Sequence, residues 1–155
     1  MGLFLTLHHP SLPLISLHIK SMKYLGIDYG EKRMGLALGD DEIKIATPFL
    51  VLENKGLDKV LPELVEIFEQ EGIRQIVVGV PYSLRQAQGK IGAQEQAVLD
   101  FISRLARATT IPIAREDERF TTVQVDKLMA GEKISREKRD AVAAMLILQG
   151  YFDKL

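Results

Sequence analysis

The run from Ile73 to Val80, IRQIVVGV, carries too much apolar side chain for a strand with one wet face. Both of its faces need covering, as in a central parallel strand with helices packed above and below. Its neighbours in the chain agree. Leu57, Val60, Leu61, Leu64, Val65, Ile67 and Phe68 recur at helical spacing from about Leu57 to Glu71, with Pro62 tolerated in the first turn and Gly72 as the stop. Gln94 to Arg107 repeats the pattern with Val98, Phe101, Ile102 and Leu105. A short strand, Ile111 to Arg115, follows. Strands that alternate with helices in this way are joined by right-handed crossovers and lie parallel.

The chain before this unit reads differently. Tyr24 to Asp28 is a short apolar run ending on a carboxylate; Tyr29 to Lys32 is a turn in which Gly30 can take positive φ; Arg33 to Gly39 returns as a second strand. A third strand from Ile43 to Leu52 is interrupted at Thr47-Pro48, which suits a sheet edge. After the parallel unit, Thr121 or Thr122 caps a short helix to about Ala130, and a last helix runs from Ser135 or Arg136 to Tyr151. The expectation is an α/β domain: a mixed five-stranded sheet, three strands antiparallel and then two parallel, with helices on both faces.

Residues 1–21, MGLFLTLHHPSLPLISLHIKS, stand apart. Pro10 and Pro13 break the apolar stretch, which therefore makes neither a secretory h-region nor a membrane span. His8, His9 and His18 match no second ligand cluster. This segment is expected to be a poorly ordered extension, with Met22 a start directly before the first strand and residues 22–155 forming one domain. Without a targeting segment, a cytoplasmic location and no membrane partner are expected.

Three carboxylates sit where a carboxylate is awkward. Asp28 ends a buried strand, although an Asp there also initiates turns. Glu118 closes the run Glu116-Asp117-Glu118, whose mutual repulsion is eased either by the flanking Arg115 and Arg119 or by a divalent cation. Asp140 shares a helix face with Ala143, Ala144, Ile147 and Tyr151, next to a segment, Ala141 to Leu148, that is apolar all round. A charge beside such a stripe is costly unless it is paired, to Arg136 or Arg139, or binds metal. Ala143 and Ala144 leave room for the helix to approach the sheet. Together the three suggest a carboxylate-lined site at the strand ends, where open α/β sheets bind ligands. Oxygen ligands suit Mg²⁺ or Mn²⁺.

Other chemistries drop out. The chain has no cysteine, and its last histidine is His18, so the domain has neither thiolate nor imidazole catalysis. With 20 Lys and Arg against 21 Asp and Glu the net charge is −1, and no bulk positive field draws nucleic acid or anionic membrane. The basic residues are clustered, however. Lys32 and Arg33 lie on the first hairpin, Arg85 and Lys90 after the fourth strand, and Lys133, Arg136, Lys138 and Arg139 before the last helix. A positive rim around an acidic centre would bind phosphate backbones with little sequence preference.

Four blocks in this order, Gly26-Ile-Asp-Tyr-Gly30 continuing through Lys32-Arg33-Met-Gly-Leu-Ala37, Ile76-Val-Val-Gly-Val-Pro81, Asp117-Glu-Arg-Phe-Thr-Thr122 and Asp140-Ala-Val-Ala-Ala-Met-Leu-Ile-Leu-Gln149, resemble the YqgF family of RuvX-like nucleases. The resemblance covers residues 22–153. It implies a ribonuclease H-like fold and a metal-dependent phosphodiester hydrolase that matures the 5′ end of pre-16S ribosomal RNA, with Holliday junction resolution as the older proposal. It implies that Asp28, Glu118 and Asp140 are catalytic and hold Mg²⁺ or Mn²⁺, Asp28 being the shared ligand. Arg119 then either contacts phosphate or braces the acidic turn. With Lys32, Arg33, Arg85, Arg136 and Lys138 it makes up the expected nucleic-acid surface.

Two departures bear on substrate choice. The loop after Pro81, often Leu-Asn-Met-Asp-Gly in relatives, is Tyr82-Ser-Leu-Arg-Gln-Ala-Gln-Gly89, and the connector between Thr122 and Asp140 is short. RNA as pre-rRNA is the expected partner, and branched DNA the alternative. Rival readings are a nucleic-acid-binding factor that has lost hydrolysis and an ATP-binding module of the sugar-kinase and actin kind, for which one domain supplies half a site. The oligomeric state is not legible.

Overall fold

The computed structural model describes residues 2–7, 15–19, 21–81, 89–118, 121–131 and 133–155. Near the N-terminus, β1 (Leu3–Leu7) pairs antiparallel with β2 (Ile15–Ile19), Leu3 opposite Ile19 and Leu7 opposite Ile15. This strand pair lies within residues 1–21, the segment that stands apart in the sequence. Phe and Thr in the first strand and two Ile in the second are residues that favour a pleated surface. This two-stranded sheet shares no strand with the main one.

The main sheet has five strands in the order β5-β4-β3-β6-β7: β3 (Lys23–Asp28), β4 (Arg33–Asp40), β5 (Thr47–Glu53), β6 (Ile73–Val80) and β7 (Ile113–Asp117). The pairs β3–β4 and β4–β5 are antiparallel, and β3–β6 and β6–β7 are parallel, as expected. The helices are α1 (Leu57–Glu71), α2 (Ala93–Ala108), α3 (Thr121–Leu128) and α4 (Arg136–Phe152).

Boundaries moved where local chemistry intervened. β5 begins four residues later than expected because Asp40 Oδ1 accepts from the backbone N–H of Glu42 and Ile43, and Lys44 then turns the chain at φ 57°. Pro48 does lie on the edge strand, opposite Ala37 at a register shift. β7 starts after Pro112, which has no N–H; its carbonyl instead accepts from Ile76 at 2.9 Å. Pro62 falls in the second turn of α1 rather than the first. Gly72 ends that helix at φ 68°.

Side-chain alternation gives each face of the sheet its own core. Leu25, Ile27, Met34, Leu36, Ile76 and Val78 pack under α1 and α2. Tyr24, Ala37 and Val77 pack under α4 with Ala144, Ile147, Leu148 and Phe152. A third cluster, Val125, Met129 and Val142, seats α3 against α4. Ala143 packs against this third cluster, so the sheet-facing row of α4 is Ala144, Ile147 and Leu148 rather than the one the spacing suggested.

Candidate metal centre and nucleic-acid interface

The face under α4 is floored with small residues, and this sets the geometry of the site. A Cβ on Gly26 would lie 2.9 Å from the carbonyl oxygen of Ala144, and one on Gly35 only 1.9 Å from that of Asp140. Helix backbone therefore rests directly on strand backbone. Asp28 is paired with Gly35 across β3 and β4, so the contact at Gly35 brings the first turns of α4, and Asp140 with them, beside the end of β3. On the other flank, Gly79 lies one residue beyond the Ile27–Val78 pair. A Cβ there would meet Ile147 Cδ1 at 2.3 Å and Glu118 Oε2 at 2.9 Å. The missing side chain is the space through which the Glu118 carboxylate reaches back over β6.

Glu118 itself is tied to the sheet by its N–H, which donates to the Val80 carbonyl at 3.1 Å. Period-two alternation divides the acidic run it closes: Glu116 and Glu118 share one face and Asp117 takes the other. Glu116 is buried and pairs with Lys154 Nζ. The positive partner of this acid comes from the C-terminal end of the chain, not from Arg115, which is exposed.

Asp28 and Glu118 lie within hydrogen-bonding reach of each other. Burial, then the Glu118 charge and hydrogen bond, then the Asp140 charge, push the Asp28 carboxyl up to about 8. Burial also raises Glu118; its hydrogen bond with Asp28 opposes the rise and Asp117 adds to it. A proton carried by Asp28 and donated to Glu118 accounts for the opposite signs of that hydrogen bond at the two acids, while burial raises both.

Asp140 has a different partner. Arg33 Nε donates to Asp140 Oδ2 at 2.7 Å, with the two side chains 32% and 29% exposed. The sequence offered Arg136 or Arg139 for this role. Arg139 instead pairs with Asp126 of α3, and Arg136 is exposed at the start of α4. Ser135 caps that start, its Oγ accepting from the Lys138 N–H at 3.2 Å.

The turn that delivers Arg33 is held firmly. The Tyr29 ring stacks on Phe101 of α2 with centroids 4.7 Å apart. Asn54 Nδ2 donates to the Gly30 carbonyl, and the Asn54 N–H to the Lys32 carbonyl, both at 2.8 Å. Gly30 does not adopt positive φ; it is needed because a Cβ would lie 2.4 Å from the Arg33 carbonyl oxygen. Two grooves meet at this turn. One of about 570 Å³ runs past Tyr29, Lys32, Arg33, Gln94 and Asp140, and one of about 910 Å³ past Lys32, Arg33, Phe49, Glu137 and Lys138. Three of the expected nucleic-acid residues, Lys32, Arg33 and Lys138, thus share a surface. Arg85 and Arg119 lie outside the described residues.

Among the described residues no three acidic side chains converge tightly enough to enclose a metal ion. The donor chemistry nevertheless fits a hard divalent cation. Two carboxyls pressed together hold a proton that a cation would replace, and Asp140 is near enough for its charge to be felt at Asp28. Among the described residues, no helix is long and apolar enough to cross a membrane.

A family model described as RuvX, Holliday junction resolvase, matches residues 22–154. A protein of Desulforudis audaxviator named "Putative pre-16S rRNA nuclease" is 38% identical over 136 residues, spanning 85% of this chain and 94% of that protein. A Clostridium kluyveri protein of the same name is 36% identical over 138 residues, 86% of this chain and 98% of that one. Among solved structures, T. thermophilus RuvC in complex with a Holliday junction substrate aligns with TM-score 0.56 at 15% identity, over 86% of this chain and 94% of that one. The yeast mitochondrial Holliday junction resolvase Ydc2 aligns with TM-score 0.53 at 16% identity, over 84% and 78%. At such identities the likeness is one of fold, and that fold is ribonuclease H-like. With the family model spanning the whole main domain and relatives above 30% identity along nearly their full length, the chain belongs to the RuvX family.

Proposed function

We propose that this protein is a divalent-metal-dependent nuclease that cleaves phosphodiester bonds in RNA, acting in 5′-end maturation of pre-16S ribosomal RNA in the cytoplasm. The observation that carries the reading is the Asp28–Glu118 carboxyl pair, two acids held in contact at the sheet's carboxyl edge by the absence of a side chain at Gly79. A pair that defies its own repulsion gains little as scaffolding and much as a cation site. The names of the curated relatives support the RNA substrate.

Asp28 and Glu118 would hold Mg²⁺ or Mn²⁺, with Asp140 as the third ligand. When bound, such a cation supplies charge stabilisation at the phosphate and activates water. The chain's own residues do the positioning. Lys32, Arg33 and Lys138 offer phosphate contacts along the two grooves, and Arg136 is exposed next to Glu137 in the chain. Gly35 and Gly79 fix the acids before substrate arrives, so little reorganisation is needed during reaction.

The family description favours a second reading, a resolvase acting on branched DNA with the same acids. One experiment separates the two: Mn²⁺- or Mg²⁺-dependent cleavage of a single-stranded RNA bearing a pre-16S leader, beside a four-way DNA junction, with Asp28→Asn as control. RNA cleavage lost in Asp28→Asn is the expected result. Cleavage of the junction alone transfers the reading to the resolvase, and cleavage of neither overturns both.

A further inference from the structure

We infer that Arg33 is an electrostatic placeholder: it occupies Asp140 while the carboxylate pair holds no cation, and it is released to grip a phosphate when a cation claims Asp140. This rests on the metal-dependent reading above. Three observations lead to it. Arg33 Nε and Asp140 Oδ2 are 2.7 Å apart, so the acid proposed as third ligand already has a positive partner. Among the described residues, neither terminal nitrogen of that guanidinium has a hydrogen-bond or ion-pair partner, so the pair is single-pronged and open to exchange. Finally, Arg33 and Lys32 line both grooves, Lys138 joins them in one and Asp140 in the other.

The exchange conserves the sign of the charge at every position. A cation replaces the guanidinium beside Asp140, and a phosphate replaces the carboxylate beside Arg33. Neither the partly buried acid nor the partly buried guanidinium is left alone at either end of the swap, which is the condition that keeps it cheap. The consequence is reciprocal coupling: cation binding strengthens the grip on nucleic acid, and nucleic acid strengthens cation binding. Arg33 acts on the metal site through Asp140 and is in that respect a positioning residue.

The test is a double-mutant cycle read as binding, without catalysis. Fluorescence anisotropy of a labelled single-stranded RNA is measured in EDTA for wild type, Arg33→Gln, Asp140→Asn and the double variant, after circular dichroism confirms that each is folded. If Asp140 restrains Arg33, the loss caused by Arg33→Gln is about tenfold larger in the Asp140→Asn background than in wild type. Arg33→Lys in that background restores part of the affinity. Glu137→Gln removes the same charge from the same groove and weakens only a longer-range attraction on Arg33, leaving its hydrogen bond to Asp140 in place, so it should enlarge the loss far less than Asp140→Asn does. Equal losses in all backgrounds overturn the proposal.

A second arm titrates Mn²⁺ calorimetrically. Arg33→Gln, which frees Asp140, binds the ion several-fold tighter than wild type; equal or weaker binding refutes the exchange. Absence of Mn²⁺ uptake by wild type together with a non-additive cycle overturns the metal reading and leaves the restraint of Arg33 by Asp140 standing.

Discussion

Replacing Asp28 by asparagine removes the acid whose ionisation the fold most opposes, so the metal-free variant should be more stable than the wild type at neutral pH. The carboxyl is held near 8 against an ordinary 3.8. Between those values the unfolded chain has released the proton while the folded chain keeps it, so the folded state binds more protons and stability falls as pH rises. At about 1.4 kcal/mol per unit, the full shift sets a ceiling of roughly 6 kcal/mol above pH 8, and the portion expressed at pH 7 is roughly 4 kcal/mol. Both acids are partly open to water, which relaxes around them, so about 2 kcal/mol is the working figure. For a chain of this size that is a rise in Tm of about 4–8 °C. The asparagine amide can also donate to Glu118 in place of the shared proton. The assay is thermal unfolding by circular dichroism in EDTA from about pH 4 to pH 8, with the difference near zero at the acid end and widest at the alkaline end. Millimolar Mn²⁺ should narrow the gap by stabilising the wild type. An Asp28→Asn protein no more stable than wild type at pH 7 in EDTA refutes the electrostatic account of the pair.

Other perturbations probe the scaffold that holds the acids. Gly35→Ala drives a methyl group into the Asp140 carbonyl and Gly79→Ala into Ile147 and Glu118, so each should lower stability by about 1–3 kcal/mol in denaturant titration. Gly79→Ala should also abolish Mn²⁺ uptake measured calorimetrically, since it fills the space the Glu118 carboxylate uses. Lys154→Met leaves Glu116 buried without its ammonium partner and should cost about 1–3 kcal/mol, most of it recovered by adding Glu116→Gln. RNA affinity should fall steeply between 50 and 200 mM salt, with a slope of about two to three counterions for Lys32, Arg33 and Lys138, and Lys138→Ala should reduce that slope by about one.

What could be read from the residues alone was what period and local chemistry encode. The short apolar run of β3 and the doubly apolar β6 encode the sheet locally; Asp28 and Asp140 stand out because each adjoins an apolar run, and Glu118 because it closes three consecutive acids. Pairings between distant segments carry no such signature. Arg33 and Asp140 are separated by 107 positions, and four nearer arginines, Arg115, Arg119, Arg136 and Arg139, offered themselves to the acids by sequence proximity alone. Lys154 reaches Glu116 only because α4 runs the length of the sheet, a fact that depends on how closely that helix can settle. The glycines decide this. Gly26, Gly35 and Gly79 appear in the chain as gaps in strands, where a residue without a side chain ordinarily weakens pairing. Across three strands they form a floor low enough for helix backbone to touch strand backbone, and the two that flank Asp28 are the two whose absent side chains make room for Asp140 and Glu118. The acids set the chemistry of the proposed site, but what lets them approach one another is the work of residues that contribute no atoms to it.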